Sequence, residues 1–357
     1  MGRKLASIQY VHDITPIEGA DKIELAHVLG WQCVVKKGEF KVGDLGVYFE
    51  IDSFLPVNKH FVFLGTNSYK KTDIMGEGYR IRTMKMRGEL SQGLLIPLSE
   101  FDESEIPNNM RVVNTDVSNL LGIKKWEVEE RATDCGTIIG QLPDGIPKTD
   151  ETRVQAMPEL IKELGKSGDY YITTKMDGSS HSIEVDSEGR FHCTGHNYEY
   201  KDDGTSGFYN YVNEHCFESK LKKIKETIGA KCVVFQGEFC APGIQSNRLR
   251  LRKPEWFVFT VIIDGVRQNL GITALYASLI GAKMVPVEEI GDEFDKKYPT
   301  VEDVLKRADE SMYTVGEQKC KAEGIVVRPV VPVYNEEIHD WLSMKAVSNK
   351  YLLKLKG

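Results

Sequence analysis

Paired cysteines are the first thing this 357-residue sequence lacks. Its seven cysteines, Cys33, Cys135, Cys193, Cys216, Cys232, Cys240 and Cys320, are odd in number, scattered and nowhere spaced C-x-x-C. That argues against a disulfide framework or a zinc site and fits thiols kept reduced as small buried hydrophobes. No run approaches the roughly 18 apolar residues of a membrane span. The opening MGRKLASIQYVHDI has no apolar core of the signal-peptide kind. Position 6 is Ala rather than the Ser or Thr that would complete a myristoylation signal begun by Met1-Gly2. The expectation is a soluble chain in a reducing intracellular compartment, cytoplasm or nucleus, with no membrane partner. Internal repeats and low-complexity tracts are missing as well, and so is any excess of positive charge, the net being −7. An acidic chain is a poor indiscriminate binder of nucleic acid, so any grip on phosphate must come from a local patch.

What is present fits two domains. Apolar residues make up 41% and charged residues 28%, ordinary values for a globular protein, and the length is comfortable for a pair of folding units. Residues 1–115 are rich in short strands and turns. LAHVLGWQCVVKKGEFKVGDLGVYFEID reads strand, turn, strand, with Val47, Phe49 and Ile51 alternating toward one face. GYRIRTMKMRGELSQGLLIPLSEF gives another strand pair around Gly88. Short strands at this spacing suggest a small antiparallel barrel, an OB-fold in kind. Between residues 57 and 99 seven Lys/Arg face three acids. Within that stretch Arg80 and Arg82 are expected on one strand face, with Lys85 and Arg87 following. The patch is either a solvated surface or a nucleic-acid contact.

Residues 116–150 lose the pattern and read as a junction, and residues 151–357 mix helices with strands. Amphipathic or apolar spacing predicts helices in 157–168, 219–230, 273–282 and 301–312. Strands are expected at YYITTKM, SHSIEVD, RFHCTGHN, KCVVFQGEF, WFVFTVIID, EGIVVRPVVPVY and WLSMKAV. Strands outnumber helices and neighbours pair locally, which suggests an α+β domain of antiparallel sheets flanked by helices.

The chemistry gathers in this second part. Lys175-Met176-Asp177-Gly178 closes a strand with a lysine, an acid and a glycine. A lysine attacks phosphorus only as the free amine, so its pKa must be lowered by desolvation or by nearby cations. The glycine lets backbone approach a ligand closely. Alone, the tetrapeptide also fits a common surface turn. Downstream, VVFQGEF puts Glu238 at the end of a buried strand, where a carboxylate must be paired or functional. EWFVFTVII sets Phe257 and Phe259 on one face, KAEGIVVRP places Glu323 before Gly324, and WLSMKAVSNKYLLK carries Lys345, Lys350 and Lys354. Together these are a lysine, carboxylates for a metal, an aromatic platform and a trailing lysine for phosphate.

In order and spacing these segments resemble the covalent nucleotidyltransferases, the superfamily of DNA ligases, RNA ligases and mRNA-capping enzymes. KMDG is similar to motif I, FQGE to motif III, WFVFTV to motif IIIa, EGIVVRP to motif IV and LSMKAVSNKYL to motif V. Steps of 63, 85 and 22 residues separate Lys175, Glu238, Glu323 and Lys345. GEFCAPGIQ and SMKAVSNKYLLK look more like RNA ligases than DNA ligases, and PKTDETRVQ, with Arg153, resembles the nick-sealing kind. The N-terminal module resembles the OB domain fused ahead of the ligase domain in the Naegleria type of RNA ligase. Three positions depart from the pattern: Ser179-Ser180 after motif I, His196 in CTGHN where relatives commonly have arginine, and Ser343 where many relatives have a first lysine.

The resemblance implies an ATP-dependent RNA ligase with Mg²⁺ or Mn²⁺. Lys175 would carry AMP, and Asp177, Glu238 and Glu323 would hold the metal. Phe259 would stack on adenine and Lys345 would meet the α-phosphate, with Arg153, Gly178 and Asn197 completing the nucleotide site. Arg80, Arg82, Lys85 and Arg87 would grip RNA. The implied partner is RNA with 3′-OH and 5′-phosphate ends at a duplex nick, met by a monomer. A capping-type guanylyltransferase, a DNA ligase and a non-catalytic RNA binder remain as alternatives on sequence.

Overall fold

The structure, a computed structural model, describes residues 3–127, 136–317, 319–336 and 338–353. Met1, Gly2, Cys135 and Lys354 lie outside them. Two compact units emerge, one of Met1–Glu129 with Gln155–Pro158 and Leu352–Gly357, the other of Glu130–Val154 and Glu159–Tyr351.

The first unit is a set of small, mostly antiparallel sheets. Leu45–Phe49 lies between Ala6–Tyr10 and Leu94–Pro97, and Asp13–Pro16, Ile23–Val28 and Trp31–Lys36 form a meander. Because Leu45–Phe49 has neighbours on both edges and cover on both faces, Val47 and Phe49 enter one apolar cluster and Tyr48 the other. Ile51 breaks the expected alternation. It lies past the strand end and joins the cluster of Tyr48. Arg82 also departs from expectation, since its strand, Gly76–Arg80, ends two residues earlier. There Ile81 exchanges backbone hydrogen bonds with Asp52 and Ser53, which redirects the chain. Thr83–Met86 then pairs with Glu89–Gln92 through the two-residue turn Arg87-Gly88, both at positive φ (50° and 94°). That is the turn whose twist matches a hairpin.

The second unit has two sheets. In the five-stranded one the order is Thr152–Arg153, Met344–Val347, Gly324–Pro329, Tyr170–Lys175, Val287–Gly291, all antiparallel except the first pair. The eight-stranded one carries Ser179–Val185, Val233–Cys240 and Glu255–Ile263 side by side. The helices Gly207–Glu214, Phe217–Ile228 and Leu270–Ile280 pack on it through Phe208, Leu221, Ile224, Ala277 and Ile280, against Val233, Phe235 and Trp256. The helices expected from spacing occur as Leu160–Lys166, Phe217–Ile228, Leu270–Ile280 and Val301–Glu310. Gly207–Glu214 was not foreseen. Its signal is Ser206, whose side chain accepts from Tyr209 N as an N-cap. Among the described residues no helix is long and apolar enough to cross a membrane.

Candidate active site

Strand register assembles the site. Across the five-stranded sheet Thr173 faces Val326, Val326 faces Lys345, and Lys345 faces Arg153. Directly paired residues share a sheet face, and so do residues two apart along a strand. Lys175, two residues beyond Thr173, therefore shares a face with Lys345 and Arg153, and so does Arg328, paired with Tyr171. Lys175 itself pairs with Gly324, which brings Glu323 alongside: Lys175 Nζ lies 2.6 Å from Glu323 Oε2.

The second sheet supplies the opposing side. Glu238 pairs with Ser180 and Phe257. Gly178, in the turn leaving the Lys175 strand, donates its N–H to Glu238 Oε1 at 3.1 Å. A Cβ on Gly178 would sit 2.6 Å from Phe239 O and 2.7 Å from Cys240 Sγ, so only glycine fits this approach. Phe259 occupies a register shift, Gln236 pairing with Thr260 and Gly237 with Val258. Such a bulge re-aims a side chain, and the half-buried ring of Phe259 lines a cavity of about 180 Å³. Lys175, Glu238, Lys345, Val326 and Val285 line the same cavity.

The charges are crowded. Burial works against the Lys175 ammonium, yet Glu323 and Glu238 outweigh it and hold the lysine above its ordinary range. This reverses the expected lowering, because carboxylates rather than cations are the nearest neighbours. Burial pushes Glu238 up to about 7, with Glu323 and Asp177 adding and Lys175 opposing. Burial also raises Asp177, helped by Glu323 and opposed by Tyr351, Arg248 and Lys175. Lys345 is pushed down to about 8 by burial and by the charges of Arg153 and Lys175.

Beneath Phe259 lies a buried pair the sequence reading did not single out. Arg328 Nη2 meets Glu151 Oε1, its Nη1 donates to Phe259 O at 2.6 Å, and its guanidinium lies 5.5 Å from the Phe259 ring centre. Arg328 Nε donates to Ser343 Oγ at 3.3 Å, so the serine at a relative's lysine position serves this arginine. Glu151 stays ionised, down to about 2, because Arg328 and Arg267 overcome its burial. The signal was in the quoted segments: Glu151 stands two residues before Arg153, and Arg328 ends EGIVVR. Arg248 was missed too. Its Nε lies 3.4 Å from Asp177 Oδ2 and its guanidinium 4.4 Å from the Tyr351 ring centre.

Other expected residues fall further out. His196 lines the cavity, its Nε2 lying 4.0 Å from Asp150 Oδ2. Asn197 accepts from Lys148 at 3.4 Å and is not among the lining side chains, nor are Arg153, Asp177, Gly178 and Glu323. Arg80, in the first unit, donates to Asp52 at 2.9 Å and lies 5.1 Å from the Trp126 ring centre, which ties it into its own unit. Lys85 and Arg87 are exposed and Arg82 is half-buried.

Two family models match the sequence, an OB-fold domain over residues 5–98 and an RNA ligase over residues 168–347. A solved variant of the RNA ligase of Naegleria gruberi with ATP and Mn is 31% identical, covers 99% of each chain and superposes with a TM-score of 0.84. The chain belongs to the RNA ligase family. A second variant of the Naegleria gruberi ligase, with AMP and Mn, matches at 30% identity, 99% of each chain and TM-score 0.84. The same ligase with PPi matches at 31%, 99% and 0.82. No curated protein matches the sequence.

This RNA ligase has the donor chemistry a hard divalent cation prefers. Glu238, Glu323 and Asp177 are oxygen donors, and burial first, with their mutual repulsion added, raises Glu238 and Asp177. Among the described residues no three or more His, Cys, Asp or Glu side chains are gathered as a group that could hold a metal ion. Mg²⁺ or Mn²⁺ takes a few carboxylates and fills the rest of its shell with water and phosphate oxygens.

Proposed function

We propose that this RNA ligase uses ATP to join a 3′-OH to a 5′-phosphate through a nucleotide carried on Lys175. One observation carries the reading: Lys175, Phe259, Lys345 and Glu238 line one cavity. In the first step the Lys175 amine, having released its proton, bonds to the α-phosphorus of ATP. The bond to the β-phosphate oxygen breaks, and pyrophosphate leaves. In the second, an oxygen of the RNA 5′-phosphate attacks the same phosphorus, and the P–N bond breaks to return the amine. In the third, the 3′-OH attacks the RNA phosphorus, loses its proton and displaces AMP. Each is an in-line displacement, so positioning and charge neutralisation supply most of the acceleration.

Within this scheme Phe259 stacks on adenine and Lys345 faces the α-phosphate. Arg153 adds charge on the same sheet face, and Gly178 and Asn197 border the nucleotide. Glu238, Glu323 and Asp177 would hold the divalent cation, which when bound supplies the positive charge that neutralises them and the phosphates. Glu323 and Glu238 are what hold Lys175 protonated, so its proton would leave as their negative charge is offset. Lys85 and Arg87, with Arg80 and Arg82, would meet RNA phosphates, and a nicked duplex is the substrate favoured by the resemblance of PKTDETRVQ to nick-sealing relatives.

Mass spectrometry after incubation with ATP and Mg²⁺ tests the chemistry. A covalent AMP on Lys175, absent in Lys175→Ala, is expected, and no adduct under any nucleotide or metal would sink it. Sealing of a nicked RNA duplex at least tenfold faster than of a single strand is the matching expectation for substrate.

A further inference from the structure

The loop between the Glu238 and Phe259 strands has no part in the steps above. Its segment 245–253 reads QSNRLRLRK, four cations and no acid in a chain of net charge −7. Leucine and arginine alternate along it. Leu249 is buried and Leu251 half-buried against the cluster that contains Met176 and packs Phe259. The alternation leaves Arg250, Arg252 and Lys253 exposed. Arg252 meets Glu317 at 2.9 Å with both side chains largely in solvent, a contact of little strength in water.

The loop's inner end is tied to the turn that follows Lys175. Ser246 Oγ donates to Asp177 Oδ2 at 3.3 Å, Gln245 Nε2 to Gly178 O at 3.4 Å, and Arg248 lies against Asp177. Asp177, with Glu323 and Glu238 near it, sets negative charge at the loop's inner end, which repels an RNA phosphate approaching on that side. A row of exposed cations that starts at Asp177 offsets the repulsion on one side of the site and so gives the approach a direction.

We propose that Arg250, Arg252 and Lys253 form the surface along which an RNA strand is led to Lys175. Recognition is by pairing with backbone phosphates, independent of base sequence. This deepens the RNA-joining reading and rests on it.

The test compares the wild-type protein with the Arg250→Ala/Arg252→Ala/Lys253→Ala variant. Affinity for a nicked RNA duplex without ATP is read by fluorescence anisotropy between 50 and 200 mM salt. Thermal melting and adenylation of Lys175 without RNA are read alongside. The expected result is at least tenfold weaker binding, with the slope of log K against log salt reduced by about 2 to 3, while the Arg250→Lys/Arg252→Lys variant, which keeps Lys253, binds as the wild type does. Unchanged affinity and slope would mark the row as solvated surface and overturn the proposal. So would a parallel loss of melting temperature and adenylation, which would make the loop a brace for Asp177, or equal competition by an acidic peptide. Absence of the wild-type adduct would instead strike the joining chemistry, with the binding comparison still read.

Discussion

Glu238 bears the cost of gathering three carboxylates around one lysine. Its folded pKa lies near 7, above the ordinary glutamate value of 4.5, and the first cause is burial. A carboxyl raised in this way contributes stability that is complete below pH 4.5 and lost as pH rises through 7. In metal-free buffer Glu238→Gln is therefore expected to be more stable than the wild type at pH 8, by up to about 3 kcal/mol, with the gap closing by about pH 4.5. Urea unfolding at both pH values measures it, and a gap that does not shrink on acidification counts against the assignment. Adenylation should fall sharply in the same variant. At this scale Lys175, Glu238, Glu323 and Lys345 were singled out by their resemblance to the motifs of the covalent nucleotidyltransferases, and Lys175, Glu238 and Lys345 line one cavity in the structure. The sequence was least legible where a side chain acts on another. Nothing in SMK announced that Ser343 accepts from Arg328, or that Arg328 holds the carbonyl of Phe259.

The helix Phe217–Ile228 illustrates the element scale. Leu221 and Ile224 face the sheet, Leu221 fully buried, and the helix stops at Gly229. Leu221→Ala is expected to cost about 3 kcal/mol in urea unfolding, from lost burial and an unfilled cavity. A cost under about 1 kcal/mol would mean the sheet cover closes around the gap. Such periodic elements were readable because apolar spacing and burial agree. Two others were not. The strand read through EGIVVRPVVPVY ends at Pro329, since Pro329 and Pro332 have no N–H to continue a ladder, and pairing resumes only at Tyr334–Asn335. The bulge at Phe259 is likewise invisible in the period of EWFVFTVII. It depends on how Gln236 and Gly237 of the preceding strand pair with it, which the period of one strand read alone does not show.

Across the whole molecule, the site draws residues from Glu151 to Lys345, brought together by strand register, by the turn at Gly178 and by the pair of Arg328 with Glu151. The resemblance to RNA ligases therefore showed more than any local pattern, because order and spacing survive where individual contacts are rebuilt. The reversed electrostatics of the two central lysines has a consequence for how the protein meets reactive small molecules. Lys175 is held as an ammonium by Glu323, whereas Lys345, at about 8, is the one lysine among the described residues pushed downward. Near neutral pH, without nucleotide or metal, Lys345 therefore yields its free amine more readily than Lys175. An amine-directed acylating probe small enough for the cavity is expected to label Lys345 before Lys175, as peptide mapping after brief exposure will show. Faster labelling of Lys175 would contradict the arrangement. In the resting form the proposed nucleophile Lys175 is thus kept charged beside Glu323 while Lys345 is the more reactive neighbour, so a covalent probe of that form is expected to find Lys345 first.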